Sequence, residues 1–96
     1  LAKKEISQNN TEQNQVELGI CYLKDGSMEK AKEQLDFCLV EYPNSIAVSM
    51  FGALYFELND EVEKALLVYE MVYEAYPEDS IYTIISLLKR KIRLQK

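Results

Sequence analysis

The chain has no histidine, and its 96 residues include only two cysteines, two prolines and three glycines. Without histidine, the commonest general base is absent and zinc sites of the Cys/His type are excluded. The scarcity of glycine and proline disfavours an all-β protein, because its many turns need residues with special backbone angles. The composition therefore predicts a nearly all-helical chain and weakens the case for an enzyme.

Long apolar runs are also missing. No stretch approaches the roughly 20 apolar residues that a membrane-spanning helix needs, so we expect no transmembrane segment. The first residues, Leu-Ala-Lys-Lys-Glu, lack the apolar core of a signal peptide. Because residue 1 is Leu and not Met, we expect a processed or truncated product. With 48% hydrophobic residues, the chain is expected to form a single globular domain.

The charge is unevenly distributed along the chain, whose net charge is -5. Five of the eleven basic residues lie in the last eight positions: Lys89, Arg90, Lys91, Arg93 and Lys96. A basic stretch at a helix C-terminus is favoured by the partial negative charge there. The alternative is an acidic partner or an anionic membrane surface. The acidic body of the chain would repel phosphates, so we expect no nucleic-acid partner.

Neither the cysteines nor the carboxylates predict a chemical site. If the first two helices pack antiparallel, Cys21 and Cys38 lie too far out of register for a disulfide, and both are interpreted as small packing residues. The carboxylates Glu12, Glu17, Asp25 and Glu29 have no nucleophile or third group placed beside them by the sequence. We therefore expect no enzyme, no metal and no cofactor.

Hydrophobic periodicity and turn signals predict five helices preceded by a flexible or partly helical lead-in at residues 1–9. The third helix is predicted from Ile46 to Leu58, and the fifth from Ile81 to about Leu94. Each helix follows a residue able to cap it: Asn10 or Thr11, Ser27, Ser45, Asp60 in a capping box with Glu63, and Asp79 or Ser80. The fifth helix is apolar around much of its circumference, which predicts a neighbour that buries it.

The strongest signal is a 34-residue period. It relates Pro43 to Pro77, Ala31 to Ala65, Gly19 to Ala53, Tyr22 to Phe56, and Leu35 to Tyr69. A fixed period of this length is typical of stacked supersecondary units that bury their apolar faces against one another. The predicted organisation is one unit at residues 10–45, a second at 46–79, and a C-terminal helix at 80–96.

The repeated residues carry a family resemblance. The first unit reads Leu18-Gly19-x-x-Tyr22, Ala31-x-x-x-Leu35 and Pro43, and the second Gly52-Ala53-x-x-Phe56, Ala65-x-x-x-Tyr69 and Pro77. This pattern resembles the tetratricopeptide repeat, in which two helices form each unit. The resemblance implies an all-α helical-repeat solenoid, with Gly19 and Ala31 allowing the two helices of a unit to cross closely.

Three positions depart from the family pattern. Gln15 and Ser49 replace the large aromatic residue that opens each unit, so we expect thinner packing there. Leu87 takes the place that Gly19 and Ala53 have in the first two units.

The resemblance also implies a concave face lined by the first helix of each unit. By register, its apolar side chains are Val16, Ile20, Leu23, Met50, Phe51, Leu54, Leu58, Ile81, Ile84 and Leu88. Such a face is expected to bind an apolar helix or extended segment of a partner protein. The alternative is that the fifth helix or a second copy of the chain simply buries these side chains. Family members that bind chaperone tails clamp a carboxylate here, which the aliphatic Val16 and Ile20 cannot do.

The functional hypothesis is a protein-interaction scaffold in a bacterial assembly or secretion system. The unit junctions, Tyr42-Pro43-Asn44-Ser45 and Tyr76-Pro77-Glu78-Asp79-Ser80, are similar to those of envelope repeat proteins such as pilus pilotins and outer-membrane assembly lipoproteins. That similarity implies a lipidated N-terminus upstream of Leu1. One alternative is a structural module that dimerises through the fifth helix. The other is a cytoplasmic secretion chaperone, so the compartment stays open between the cytoplasm and the bacterial periplasm or outer membrane.

The repeat assignment makes a direct prediction. Ala31→Glu and Ala65→Glu should each greatly lower helicity and the melting temperature, because a charge at a close helix crossing has neither space nor solvent. Circular dichroism melts measure the effect, with Lys32→Glu on the outward face as the control. Full helicity and an unchanged melting temperature in either alanine variant would contradict the assignment.

Overall fold

The computed structural model describes residues 11–95, which form five α-helices and no β-strand. In chain order these are α1 (Glu12–Lys24), α2 (Met28–Glu41), α3 (Ile46–Leu58), α4 (Val62–Ala75) and α5 (Asp79–Gln95). The predicted all-α class is therefore confirmed. The lead-in predicted at residues 1–9 lies outside the described residues.

The helices follow the spacing seen in the sequence. α1 and α3 begin 34 residues apart, as do α2 and α4, while α5 begins 33 residues after α3. Ala31 and Ala65, which the period relates, have no exposed surface, and Leu35 and Tyr69 are buried at equivalent positions. The period thus predicts both where these four helices lie and which side of α2 and α4 faces inward.

Polar caps begin two of the helices as predicted. Thr11 Oγ1 accepts a hydrogen bond from the N–H of Asn14 (3.2 Å), and Ser45 Oγ accepts one from Val48 (3.1 Å). Each satisfies a backbone donor that the first turn of a helix leaves without a partner. Ser27 is the N-cap of α2, but its side chain makes no capping hydrogen bond.

The turns that end α1 and α3 share one backbone geometry. Each contains a residue with positive φ, Gly26 at 77° and Asp60 at 63°. The N–H of the next residue donates to a carbonyl five residues back, at 2.9 Å for Ser27 and 2.7 Å for Glu61. This is the Schellman motif, which satisfies carbonyls at a helix C-terminus and favours glycine, with Asp or Asn tolerated, at the left-handed position.

Asp60 is therefore the turn residue of that motif and does not cap α4, so the predicted capping box with Glu63 was wrong. Glu61 occupies the N-cap of α4 without a capping hydrogen bond. The start predicted for α5 was also late. This helix begins at Asp79, so both predicted caps, Asp79 and Ser80, lie within its first turn.

Two hydrophobic cores hold the helices together, and α3 contributes to both. The first joins α1, α2 and α3 through Val16, Leu23, Ala31, Leu35, Cys38, Val48, Phe51 and Tyr55. The second joins α3, α4 and α5 through Ala53, Val62, Ala65, Tyr69, Val72, Ile81, Ile85 and Leu88. No polar or charged residue is buried in the described part of the chain. Apolar burial is therefore the main source of stability.

Gly19 brings α1 and α3 together. A Cβ at this position would overlap the ring of Phe51, which is 1% exposed. The sequence assigned Gly19 to a crossing of α1 with α2, but the space it leaves open is filled by a residue of α3. The small residue therefore serves contact between successive units more directly than contact within one unit.

The packing step from α1 to α3 is not repeated from α3 to α5. The backbone of α1 comes close to that of α3, whereas among the described helices the backbone of α5 comes close only to that of α4. Ala53 stands where α1 has Gly19, and Ile85 stands where α3 has Phe51. Because Ala53 has the Cβ that Gly19 lacks, the close approach made by a glycine and a phenylalanine ring is lost in the second step.

A hydrogen-bonded side chain occupies the place of the aromatic residue that Gln15 replaces. Gln34 Nε2 donates to the backbone oxygen of Gln15 (2.9 Å) and to its Oε1 (2.8 Å), joining α2 to α1.

Both cysteines are free. Cys38 is buried as predicted, whereas Cys21 is exposed, so its interpretation as a packing residue was wrong.

The two buried glycines provide a matched test of the α1–α3 contact. Gly19→Ala should lower the free energy of unfolding by about 1–3 kcal/mol, because the new Cβ overlaps the Phe51 ring. At Gly52, the nearest atom to a new Cβ is Leu35 Cδ1 at 3.6 Å, an ordinary contact. Gly52→Ala should therefore raise stability by up to about 1 kcal/mol through helix propensity. Urea unfolding measures both, and equal effects at the two positions would refute the proposed contact.

Candidate functional site

Half of the predicted concave-face side chains lie inside the cores. Val16, Leu23 and Phe51 belong to the first core, and Ile81 and Leu88 belong to the second. None of the five is more than 6% exposed. They support the fold but offer little surface for a partner to contact, because neighbouring helices already cover them.

The other half keeps some contact with solvent. Ile20, Met50, Leu54 and Ile84 are half-buried, and Leu58 is 55% exposed. On α3, Met50, Leu54 and Leu58 are spaced four residues apart and so form one stripe. Ile20 and Leu54 border the first core, whereas Met50 and Ile84 border the second. We call these five residues the candidate face.

Equivalent positions recur across the candidate face. Ile20 and Leu54 are 34 residues apart, and so are Met50 and Ile84. Each pair places an aliphatic side chain at the same point of two successive first helices, at the edge of a core. The recurrence extends the apolar surface across α1, α3 and α5.

A side-chain hydrogen bond joins α3 to α4 beside the candidate face. Tyr69 donates its phenolic O–H to Glu57 Oε1 at 3.2 Å. Burial of Tyr69, together with the negative charge of Glu57 and the hydrogen bond between them, raises the pKa of Tyr69 to about 12. Glu57 is half-buried and held by this contact, so its carboxylate is not free to bind a partner without breaking the hydrogen bond.

Sequence reasoning missed a groove between α2 and α4, with α3 as its floor. It encloses about 270 Å³ and is lined by Leu35, Leu39, Pro43, Val48, Ser49, Gly52, Phe56, Val68 and Met71. Leu39 and Met71 are exposed at its rim. Met71 and the exposed Leu67 lie outside the buried Ala65–Tyr69–Val72 stripe of α4, and that surplus of apolar residues was the available signal.

A second cavity, of about 440 Å³, lies between α4 and α5. Its lining is aromatic and charged and consists of Glu70, Tyr73, Glu74, Pro77, Tyr82, Ile85 and Lys89. The rings of Tyr73 and Tyr82 have centroids 5.8 Å apart, and Lys89 Nζ lies 3.5 Å from Glu70 Oε2. The ion pair is largely solvent-exposed, so it contributes little to stability.

Residues 11–95 contain no group of three or more side chains spaced to hold a metal ion. No helix within this part is long and apolar enough to cross a membrane. Burial raises the pKa of the Cys38 thiol, so this cysteine is less readily ionised than an exposed one. The candidate face and the groove between α2 and α4 consist mainly of apolar side chains.

Comparison with known proteins adds no relative. No protein-family model matches the chain, and neither a curated protein nor a solved structure matches it. The tetratricopeptide resemblance stays a prediction based on the repeated residues.

The Tyr69 contact predicts a loss of stability at alkaline pH. In the folded chain Tyr69 keeps its phenolic proton up to about pH 12, whereas in the unfolded chain it loses this proton at about pH 10. The stability that the Tyr69 contact contributes to the folded state is therefore complete below about pH 10 and is lost as the pH rises toward 12. Urea unfolding from pH 9 to about 12 should show a shallower pH dependence for Tyr69→Phe than for wild type. Tyr82→Phe, at an exposed tyrosine, is the control, and identical slopes for Tyr69→Phe and wild type would contradict the assignment.

Proposed function

We propose that this chain is a protein-interaction scaffold that binds an apolar helix or extended segment of a partner on the candidate face. The observation that carries the proposal is the recurrence of partly exposed aliphatic side chains at equivalent positions, Ile20 with Leu54 and Met50 with Ile84. A surface that repeats along a chain suits a partner whose own apolar residues repeat, as those of a helix or an extended segment do.

The free energy of binding favours a partner that buries the exposed parts of the candidate-face side chains. The half-buried side chains of the candidate face border packed cores, so their positions are defined before binding. A preordered surface loses little conformational entropy when a partner docks. Met50 adds adaptability, because its unbranched side chain adjusts to different apolar shapes. Leu58, at the exposed end of the stripe, has the most surface left to bury.

We further propose that the scaffold is a tetratricopeptide-like solenoid of two units with a C-terminal helix. Three observations support this arrangement: the equal spacing of α1 with α3 and of α2 with α4, the matching turns at Gly26 and Asp60, and the buried pair Ala31 and Ala65. α5 departs from it by packing on α4 and not along α3. The third unit is therefore the least regular part of the proposed solenoid.

The proposed setting is a bacterial assembly or secretion system. Its support is the similarity of the Tyr-Pro unit junctions to those of envelope repeat proteins. A cytoplasmic secretion chaperone would use the same apolar face. Neither role involves a cofactor or a reaction, so binding is the property to measure.

The test compares two double variants with equal added charge. Met50→Glu/Leu58→Glu alters the candidate face, and Leu67→Glu/Met71→Glu alters exposed positions of α4 that are not part of it. Each is used as bait in extracts of the source organism, with captured proteins quantified by mass spectrometry. Circular dichroism confirms that both variants remain folded.

A partner of the candidate face should fall at least tenfold in abundance with the first variant and be retained by the second. Loss of contact with two aliphatic side chains, worth about 1.5–3 kcal/mol each when fully buried, is sufficient for that decrease. Equal capture by wild type and the candidate-face variant would refute the proposal, and so would equal loss from both variants.

A further inference from the structure

α5 has two apolar stripes, and only one of them has a neighbour among the described residues. Ile81, Ile85 and Leu88 are buried against α4. On another side of the helix, Leu87 is 58% exposed and Leu94 is 78% exposed. The two leucines are seven residues apart, which places them on one stripe two turns apart.

The uncovered stripe corresponds to a covered one elsewhere in the chain. Moving back two periods from Leu87 leads to Gly19 on α1. That side of α1 is covered by the Phe51 ring of α3. The equivalent side of α5 has no helix over it, and it carries a leucine where α1 has a glycine.

The charges of α5 specify the direction of a helix that would cover this stripe. Acidic residues, Glu78 and Asp79, stand at its N-terminal end, and its last two turns carry Arg90, Lys91 and Arg93, besides Lys89, which is paired with Glu70 of α4. A second α5 running antiparallel would place the acidic end of each helix beside the basic end of the other. The two helix dipoles would also be antiparallel, which is the favourable arrangement. A parallel arrangement would bring like charges together.

We propose that two copies of this chain associate through an antiparallel α5–α5 contact with Leu87 at the two-fold axis. Leu87 is the midpoint of the Asp79–Gln95 helix, so this register aligns the two helices end to end. A two-fold contact is self-complementary: Leu87 meets its own counterpart, and Leu94 faces Ser80 of the other copy. Ser80 is small and exposed, which leaves room for the leucine.

The structure narrows the residues on which such a dimer depends. The sequence predicted a dimer contact only at the level of the fifth helix, and the apolar Leu88 of that helix is 4% exposed and packs in the second core. A charge at Leu88 would unfold the chain and report nothing about association. Leu87 and Leu94 belong to the surface, so replacing either one leaves both cores intact.

The contact is small. A 17-residue helix is about 25 Å long, and each copy contributes two exposed leucines to the seam. We therefore expect a weak dimer, with a dissociation constant on the order of 100 micromolar or above, because the few buried leucines barely offset the entropy lost on association. The paired charges mainly determine orientation, because exposed ion pairs add little affinity.

Cysteine cross-linking tests the register. In a Cys21→Ser background, which removes the exposed native thiol, Leu87→Cys should form a symmetric disulfide under mild oxidation. Leu94→Cys alone should stay monomeric, while a mixture of Leu94→Cys and Ser80→Cys should give the mixed disulfide. Self-linking of both Leu87→Cys and Leu94→Cys would indicate a parallel pair and overturn the proposed geometry.

Sedimentation equilibrium tests the association itself. Leu87→Glu should weaken the dimer at least tenfold without changing the melting temperature of the dilute monomer. Of two charge variants, Glu78→Lys/Asp79→Lys makes both helix ends basic, and Arg90→Glu/Arg93→Glu makes α5 more acidic. Each alone should dimerise more weakly than wild type, and an equal mixture should associate more tightly than either.

Wild-type protein that is monomeric at its highest soluble concentration would overturn the proposal. A mixture of the charge variants that associates no more tightly than each variant alone would do the same. The inference is independent of the candidate face, since Leu87→Glu should leave partner capture unchanged and Met50→Glu/Leu58→Glu should leave the dimer intact.

Discussion

The packing of the Phe51 ring over Gly19 joins the first two helical pairs of this chain. The ring fills the space where any other residue at position 19 would carry a side chain, and this lets α1 approach α3 closely. The side of α3 that carries Val48 and Phe51 belongs to the first core, whereas Ala53 belongs to the second. α3 thus contributes to both cores and links the first pair of helices to the second.

Two kinds of apolar surface remain once these cores are formed. The candidate face borders the cores and repeats between α1, α3 and α5, which suits an apolar segment of another protein. The stripe through Leu87 and Leu94 lies away from the cores on one helix, and its flanking charges reverse along that helix. The first surface is therefore matched to a partner with a repeated apolar pattern, and the second to a copy of itself.

The sequence predicted most of the architecture because the responsible interactions are local. Helix bounds follow from amphipathic spacing, and the caps at Thr11 and Ser45 depend on residues three positions apart. The turn at Asp60 was misinterpreted because aspartate is common both at N-caps and in left-handed turns. Only the recurrence of Gly26 at the equivalent position distinguishes the two, since glycine is favoured in the left-handed conformation.

The candidate face was only partly predictable, because register alone does not give the angle at which helices cross. The sequence by itself determined the 34-residue spacing, the helical class and the buried Ala31 and Ala65, all of which depend on short-range pattern. Tertiary structure decided which apolar stripes meet. α5 packs on α4 through Ile81, Ile85 and Leu88 and leaves Leu87 in solvent. Which of its two apolar sides α5 buries depends on how well each side fits the surface of α4. That fit is set by side chains distant in sequence, so the local pattern does not reveal it.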